Sequence, residues 1–168
     1  IVTGWNGIGS QIDGFGHIGI DNLYFNCNRA GDFAMADGLT KLGIENVPAV
    51  ATRGIVLDMA GYFGTDLVKE GTPFNRAGLG IEGARYLASL GVAMVGADTP
   101  SVEVIPFEKG AGVFEVHQIL LALNGIHILE NMNTEELVED QAWEFLFTLG
   151  PARVTGAVQA IVNPVGIK

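Results

Sequence analysis

Glycine sets the first limit on this chain. It fills 24 of 168 positions, about twice the usual share of roughly 7%, and it recurs every few residues through the first twenty. A glycine inside a helix costs about 0.5–1 kcal/mol relative to alanine, so residues 1–20 cannot sustain a helix. Elsewhere glycines close short apolar segments, and the fold has to be assembled from brief elements joined by tight turns. Hydrophobic residues make up 48% of the chain, enough to fill a core, and the length fits one domain over residues 1–168.

The segments between glycines have readable periods. Residues 47–59 hold a β-branched run typical of a buried strand. Residues 60–79 read as loop, with Gly71, Pro73 and Gly78 breaking any pattern. Ile81, Ala84, Leu87 and Ala88 fall on one helical face, and Gly91 follows as a stop. Residues 92–96 form a short apolar strand ending at Asp98. A second helix over 113–123 closes at Asn124-Gly125, and residues 126–130 read as the next strand. Asn133 with Glu136 three residues on makes a capping-box start for a short helix. Residues 143–149 and 154–162 are further strands. Helices alternate with strands only in the middle, so the expected class is α/β around a mixed, twisted sheet with packed helices.

A net charge of −10 argues against nucleic acid and against anionic membrane surfaces, which both need basic patches. No apolar run approaches the ~20 residues of a membrane helix. The single cysteine, Cys27, rules out an intramolecular disulfide and fits a reducing, cytoplasmic compartment. It reads as a plain thiol, since a nucleophile would need a base or cation beside it. The opening Ile1-Val2-Thr3-Gly4 lacks an initiator methionine and reads like the interior of a domain. So apolar a chain is expected to leave uncovered faces, and therefore to self-associate as a homo-oligomer.

The densest chemistry lies in Gly9-Ser10-Gln11-Ile12-Asp13-Gly14-Phe15-Gly16-His17. In extended chain Gln11 and Asp13 share a face while Ile12 points away. Gly14 and Gly16 let the backbone turn so that Asp13 and His17 can meet. Asp13 could equally cap a turn, with His17 a half-buried polar residue. His117 has Val113, Leu120 and Leu121 as helical neighbours, and a buried imidazole needs a partner for each nitrogen. A carbonyl could serve. Glu130, however, ends the apolar face that begins at Ile126 and Ile128, and buried glutamates are rare unless paired or bound to metal. A divalent cation would satisfy both residues. His127 has the opposite parity and reads as peripheral.

Asp13-x-x-x-His17, His117 and Glu130-Asn131 together resemble the pattern of the metal-dependent cyclase family, which includes kynurenine formamidases and isatin hydrolases. Residues 52–58, 91–98 and 125–131 add to the resemblance, which spans essentially the whole chain. It implies a swivelling β/β/α-like fold. It also implies hydrolysis of a carbon–nitrogen bond, amide or lactam, in a small molecule by metal-activated water. Asp13, His117 and Glu130 match metal positions, and His17 matches the catalytic acid/base. Gly7 and Gln11 stand where the family has two metal histidines, and Ser10 replaces its threonine. Gln11 is then left to assist catalysis or orient water. The remaining oxygen-rich set suits Mn²⁺ or Mg²⁺ better than Zn²⁺. Against the family pattern, an N-terminal segment and a stretch near residues 72–78 are expected to be missing, either because this is a divergent compact branch or because the sequence omits pieces of a longer protein. Two readings follow: a compact active branch, or a binding or structural subunit that lost its metal with Gly7 and Gln11.

Gly78-Leu79-Gly80-Ile81-Glu82-Gly83 matches a dinucleotide fingerprint and opens a helix. Residues 71–77 are not the strand such a loop requires, so these glycines read as close-packing positions.

Overall fold

The computed structural model describes residues 4, 7–63 and 78–168. Its centre is a four-stranded sheet in the order Gln159–Ile161, Gln11–Asp13, His127–Glu130, Met94–Gly96. The first two pairings are antiparallel and the last is parallel, so the sheet is mixed as the sequence suggests. Both faces are covered. On one, Ile128 joins Val116, Leu120 and Leu121 of the helical segment 115–123 and Ala84 of the helix Ile81–Ser89. On the other, Ile12 and Leu129 pack with Ile44, Val47 and Leu149. The two central strands are buried along their whole length.

A second sheet runs Val165–Ile167, Glu144–Leu149, Val50–Ile55, all antiparallel. The β-branched run expected to be a buried strand is this last one, and it is mostly exposed. Its composition fits a strand, but among the described residues it pairs on one edge only. Cross-strand register puts Ile55, Leu146, Val165 and Ile167 on one face, and all are exposed.

Several boundaries differ from expectation. Residues 59–63 form a short helix, Met59–Phe63, inside what read as loop; the loop reading over 64–77, and the stretch near 72–78 up to residue 77, lie outside the described residues. The second helix starts at Glu115, because Phe114 adopts a left-handed φ of 53°. Val113 is accordingly exposed and not a helical neighbour of His117. The strand expected over 154–162 shrinks to Gln159–Ile161, with residues 155–156 in a turn. The capping box read at Asn133 and Glu136 does not form among the described residues: Thr134 is the N-cap of Glu135–Glu139, without a side-chain cap bond, and Asn133 Oδ1 accepts instead from the Glu135 amide at 3.1 Å. Gly91, at φ 67°, ends Ile81–Ser89 as read.

The fingerprint-like glycines pack, as expected. A Cβ on Gly78 would collide with the Glu103 backbone, and Leu79 forms a parallel bridge to Glu103. Glu108 Oε2 accepts from the Ile81 amide at 2.8 Å. A carboxylate thus occupies the helix N-terminus where a phosphate would have to sit.

Candidate functional site

The alternation of a strand carries the site. Gln11 and Asp13 point from one face of their strand, and register sets Gln11 opposite Glu130 and Asp13 opposite Ile128. Glu130 therefore ends the apolar row that Ile128 belongs to, and Gln11 Nε2 donates to its Oε2 at 2.8 Å. The Val102 amide donates to Glu130 Oε1 at 2.9 Å. Just beyond, Asn131 sits at φ 53°; Ser10 Oγ donates to its backbone carbonyl and its side-chain Nδ2 donates to Gly9 O. Those bonds tie the end of one strand to the start of the other.

Asp13 is fully buried. Gln159 Nε2 donates to its Oδ1 at 2.7 Å, while Oδ2 has no hydrogen-bond partner among the described residues. That orphaned oxygen stands 3.7 Å from His117 Nε2 and 3.9 Å from His17 Nε2. His117 Nε2 is also 3.3 Å from Glu130 Oε1. His17 arrives by a turn in which its amide donates to Gly14 O at 3.0 Å. Gly16 has to be glycine there: a Cβ would strike the Leu39 side chain and lie 3.1 Å from Leu42 O. Of the four residues singled out in the sequence, Asp13, His17 and His117 bring one ligand atom each within 4.8 Å of one another, and Glu130 adjoins them through His117 Nε2.

Glu103 is the residue the sequence reading missed. It is buried, and its Oε1 lies 2.6 Å from His117 Nδ1. A carboxylate accepts, so Nδ1 carries a proton; Nε2, which faces Asp13 and Glu130, holds a second one while the imidazole is charged and offers a lone pair only once that proton is shed. Glu103 Oε2 accepts from the Val116 amide at 3.3 Å, in the same helical turn. A carboxylate inside Val102-Glu103-Val104 is the only local signal for it. His127 is a correction too. It is buried, not peripheral, with Nδ1 donating to Asp13 O at 3.0 Å and its ring stacked on Phe15 at 4.0 Å. Parity placed it on the other face, and that face is also covered.

The electrostatics follow from burial and crowding. Burial, then the Glu130 charge, push the Asp13 carboxyl up to about 7. Burial would lower His117, but the hydrogen bond to Glu103 and the charges of Glu130 and Asp13 outweigh it and push the imidazole up to about 9. Burial and the neighbouring His117 lower His17 to about 4. Without another cation, His117 is the positive charge that holds these acids together.

The donor set fits a metal ion. Gaps of 3.7 and 3.9 Å are too long for hydrogen bonds. The 3.7 Å gap suits two ligands of one ion, each about 2 Å from it and so roughly 3–4 Å apart, and the 3.9 Å gap leaves His17 placed either as a third ligand or beside an ion-bound water. One ligand atom from each of Asp13, His17 and His117 lies within 4.8 Å of the others. The orphaned Asp13 Oδ2 and the buried, unpartnered Gln11 Oε1 are acceptors that a cation would satisfy. Glu103 behind His117 has the form of an outer partner that fixes a ligand's tautomer.

No protein-family model matches the sequence, and no curated protein does. Solved structures do. One described as a novel cyclase superposes with a TM-score of 0.80 at 22% identity, over 95% of this chain and 68% of that one. A predicted metal-dependent hydrolase from Bacillus stearothermophilus matches with a TM-score of 0.58 at 15% identity, over 96% of this chain and 77% of that one. A third, a potential metal-dependent hydrolase with cyclase activity, matches at 0.57 and 14%, with the same coverage. The chain has the fold of these cyclase-family proteins. Among the described residues, no helix is long and apolar enough to cross a membrane.

Proposed function

We propose that the chain is a metal-dependent hydrolase of a carbon–nitrogen bond, amide or lactam, in a small molecule, of the kynurenine formamidase or isatin hydrolase kind. The observation that carries this reading is the buried, unpartnered Asp13 Oδ2 facing the Nε2 atoms of two histidines. Asp13, His117 and Glu130 would hold the ion, Mn²⁺ or Mg²⁺ in preference to Zn²⁺, with Gln11 orienting water. The ion, when bound, supplies Lewis acidity: it polarises a carbonyl and lowers the pKa of its water from about 16 to about 7. His17 is largely buried but still reaches solvent, and it is neutral at pH 7, its pKa lowered by burial to about 4. It can take a proton from attacking water and return it to the leaving nitrogen. Gln159 and Gln11 hold the two carboxylates so that neither swings away.

The test uses His17→Gln. Metal-loaded wild type should hydrolyse an aryl formamide or an isatin-type lactam. The variant should keep a full complement of metal while losing roughly 10²–10⁴-fold in rate, the usual weight of a positioned acid/base. Loss of the metal along with the activity would make His17 a ligand instead. Wild type that takes up no divalent ion would favour the alternative, a catalytically inactive binding or structural subunit.

Metal uptake should depend on pH with a defined sign. Asp13, at about 7, and His117, at about 9, both hold protons at pH 6, and ligands must shed theirs to bind. Uptake is expected to release roughly two protons per ion at pH 6 and about one at pH 8, read by calorimetry in buffers of different ionisation enthalpy. Both folded-state values lie above the unfolded ones of 3.8 and 6.5. Each therefore stabilises the cation-free protein fully below its unfolded value and loses that contribution as pH rises through its folded value. His17 has the opposite sign and acts only as pH falls from 6.5 toward 4. Cation-free protein should thus melt lower at pH 9 than at pH 6.5, and an equal or higher melting point at pH 9 would contradict these assignments.

Gln11→His should tighten Zn²⁺ binding. Position 11 shares the face of Asp13 and touches Glu130, and an imidazole there adds a nitrogen donor that Zn²⁺ favours. Calorimetric titration of both proteins with Zn²⁺ and Mn²⁺ should show the gain for Zn²⁺. An unchanged Zn²⁺ affinity would place position 11 outside the coordination sphere.

A further inference from the structure

A cleft of about 330 Å³, lined by Phe15, Lys41, Leu42, Asn46, Val47 and His127, opens beside the acid–histidine cluster. None of Asp13, His17, His117 or Glu130 lines it. Its volume falls at the lower end for small-molecule sites, roughly 300–1,000 Å³. Three of its features are built rather than incidental.

The first is an unused acceptor. His127 is only 9% exposed, and its Nδ1 proton is committed to the Asp13 carbonyl. Nε2 therefore carries a lone pair, and no donor meets it among the described residues. The Phe15 ring, stacked within 10° of parallel, fixes the direction of that lone pair. The second feature is a cation. Lys41 makes no ion pair among the described residues, in a chain with 9 basic residues against 19 acidic ones. The third is a held wall. Leu42 sits at φ 60°, a conformation that a side chain with a Cβ adopts at a cost, and the Gly16 amide pins it by donating to its carbonyl at 3.1 Å. Phe15, Leu42 and Val47 supply the apolar part of its lining.

We propose that this cleft is a binding site for a small, flat organic anion. Its carboxylate pairs with Lys41, an O–H or N–H at the far end donates to His127 Nε2, and its apolar body lies against Phe15, Leu42 and Val47. The site needs no metal. It is independent of the hydrolase reading, although His127 joins it to the backbone of Asp13.

The experiment titrates metal-stripped protein by calorimetry with 4-hydroxybenzoate, benzoate and 4-hydroxybenzyl alcohol. The first should bind saturably. Benzoate, which lacks the donor, should bind about threefold to tenfold more weakly, the usual weight of one hydrogen bond. The alcohol, which lacks the charge, should also bind more weakly. Lys41→Gln, an exposed change with no folding consequence, should abolish the advantage of the acid over the alcohol. His127→Phe keeps the stacked ring and should erase the difference between 4-hydroxybenzoate and benzoate. If that variant does not fold, the Lys41→Gln result and the wild-type ligand series decide. No saturable binding, equal binding to wild type and Lys41→Gln, or binding that appears only after a divalent ion is added would each overturn the proposal. In the last case the carboxylate would be ligating the ion in the neighbouring cluster.

Discussion

Replacing His117 with alanine is expected to strip the protein of its metal and to cost on the order of 3–5 kcal/mol of stability, the usual penalty for removing one partner of a buried ion pair. Glu103, Asp13 and Glu130 are each less than a twentieth exposed, and the imidazole stands 2.6, 3.7 and 3.3 Å from their oxygens. Without it three acids share a dry site with no positive charge. Protonating them relieves the repulsion but leaves Asp13 Oδ2 and Glu103 Oε1 without their neighbour. In a domain of this size each 1 kcal/mol moves the melting temperature by about 2–4 °C, so thermal unfolding should show a fall of roughly 6–20 °C, and elemental analysis should show no bound ion. A melting point unchanged within 2 °C would mean that the acids do not depend on this imidazole.

Glu103→Gln is expected to keep the fold and to lose about 10–100-fold in metal affinity, the range seen when an outer partner of a ligating histidine is removed. The glutamine oxygen can still accept the Nδ1 proton, but the negative charge that raises His117 is gone. The pH at which uptake is half complete should move down, because the proton on His117 is then held less tightly. A purely structural role for Glu103 predicts a lower melting temperature with that pH unchanged. Titration against a competing chelator at several pH values separates the two.

The site was legible where local periodicity determines direction. Strand alternation alone set Gln11 and Asp13 on one face and Glu130 at the end of the Ile128 row, and the pairing agrees. Burial of His117 followed from Leu120 and Leu121, although Val113 contributes nothing to it. Glu103 was illegible because it lies in no helix or strand; a single bridge to Leu79 and the helical turn at Val116 bring it to His117, and sequence spacing does not encode such tertiary contacts. His127 failed for another reason. Parity tells which face a side chain takes, not whether that face is covered, and Phe15 covers it. The Val50–Ile55 strand erred the opposite way, since β-branched residues fit any pleated surface, buried or not.

Of the three carboxylates that meet at His117, Asp13 and Glu130 are each tied to a distant part of the chain. The Gln11–Glu130 bond joins residues 119 apart and the Gln159–Asp13 bond residues 146 apart. Closing so long a loop costs only about 0.6 kcal/mol more per doubling of its length, but contacts of that separation form slowly. No ion can find its ligands until both ends have docked. The unfolded chain therefore offers almost no competing affinity, and nearly all the binding energy appears as stabilisation of the folded state. Metal release, followed by a chelator-sensitive dye, would report when the closing strands part.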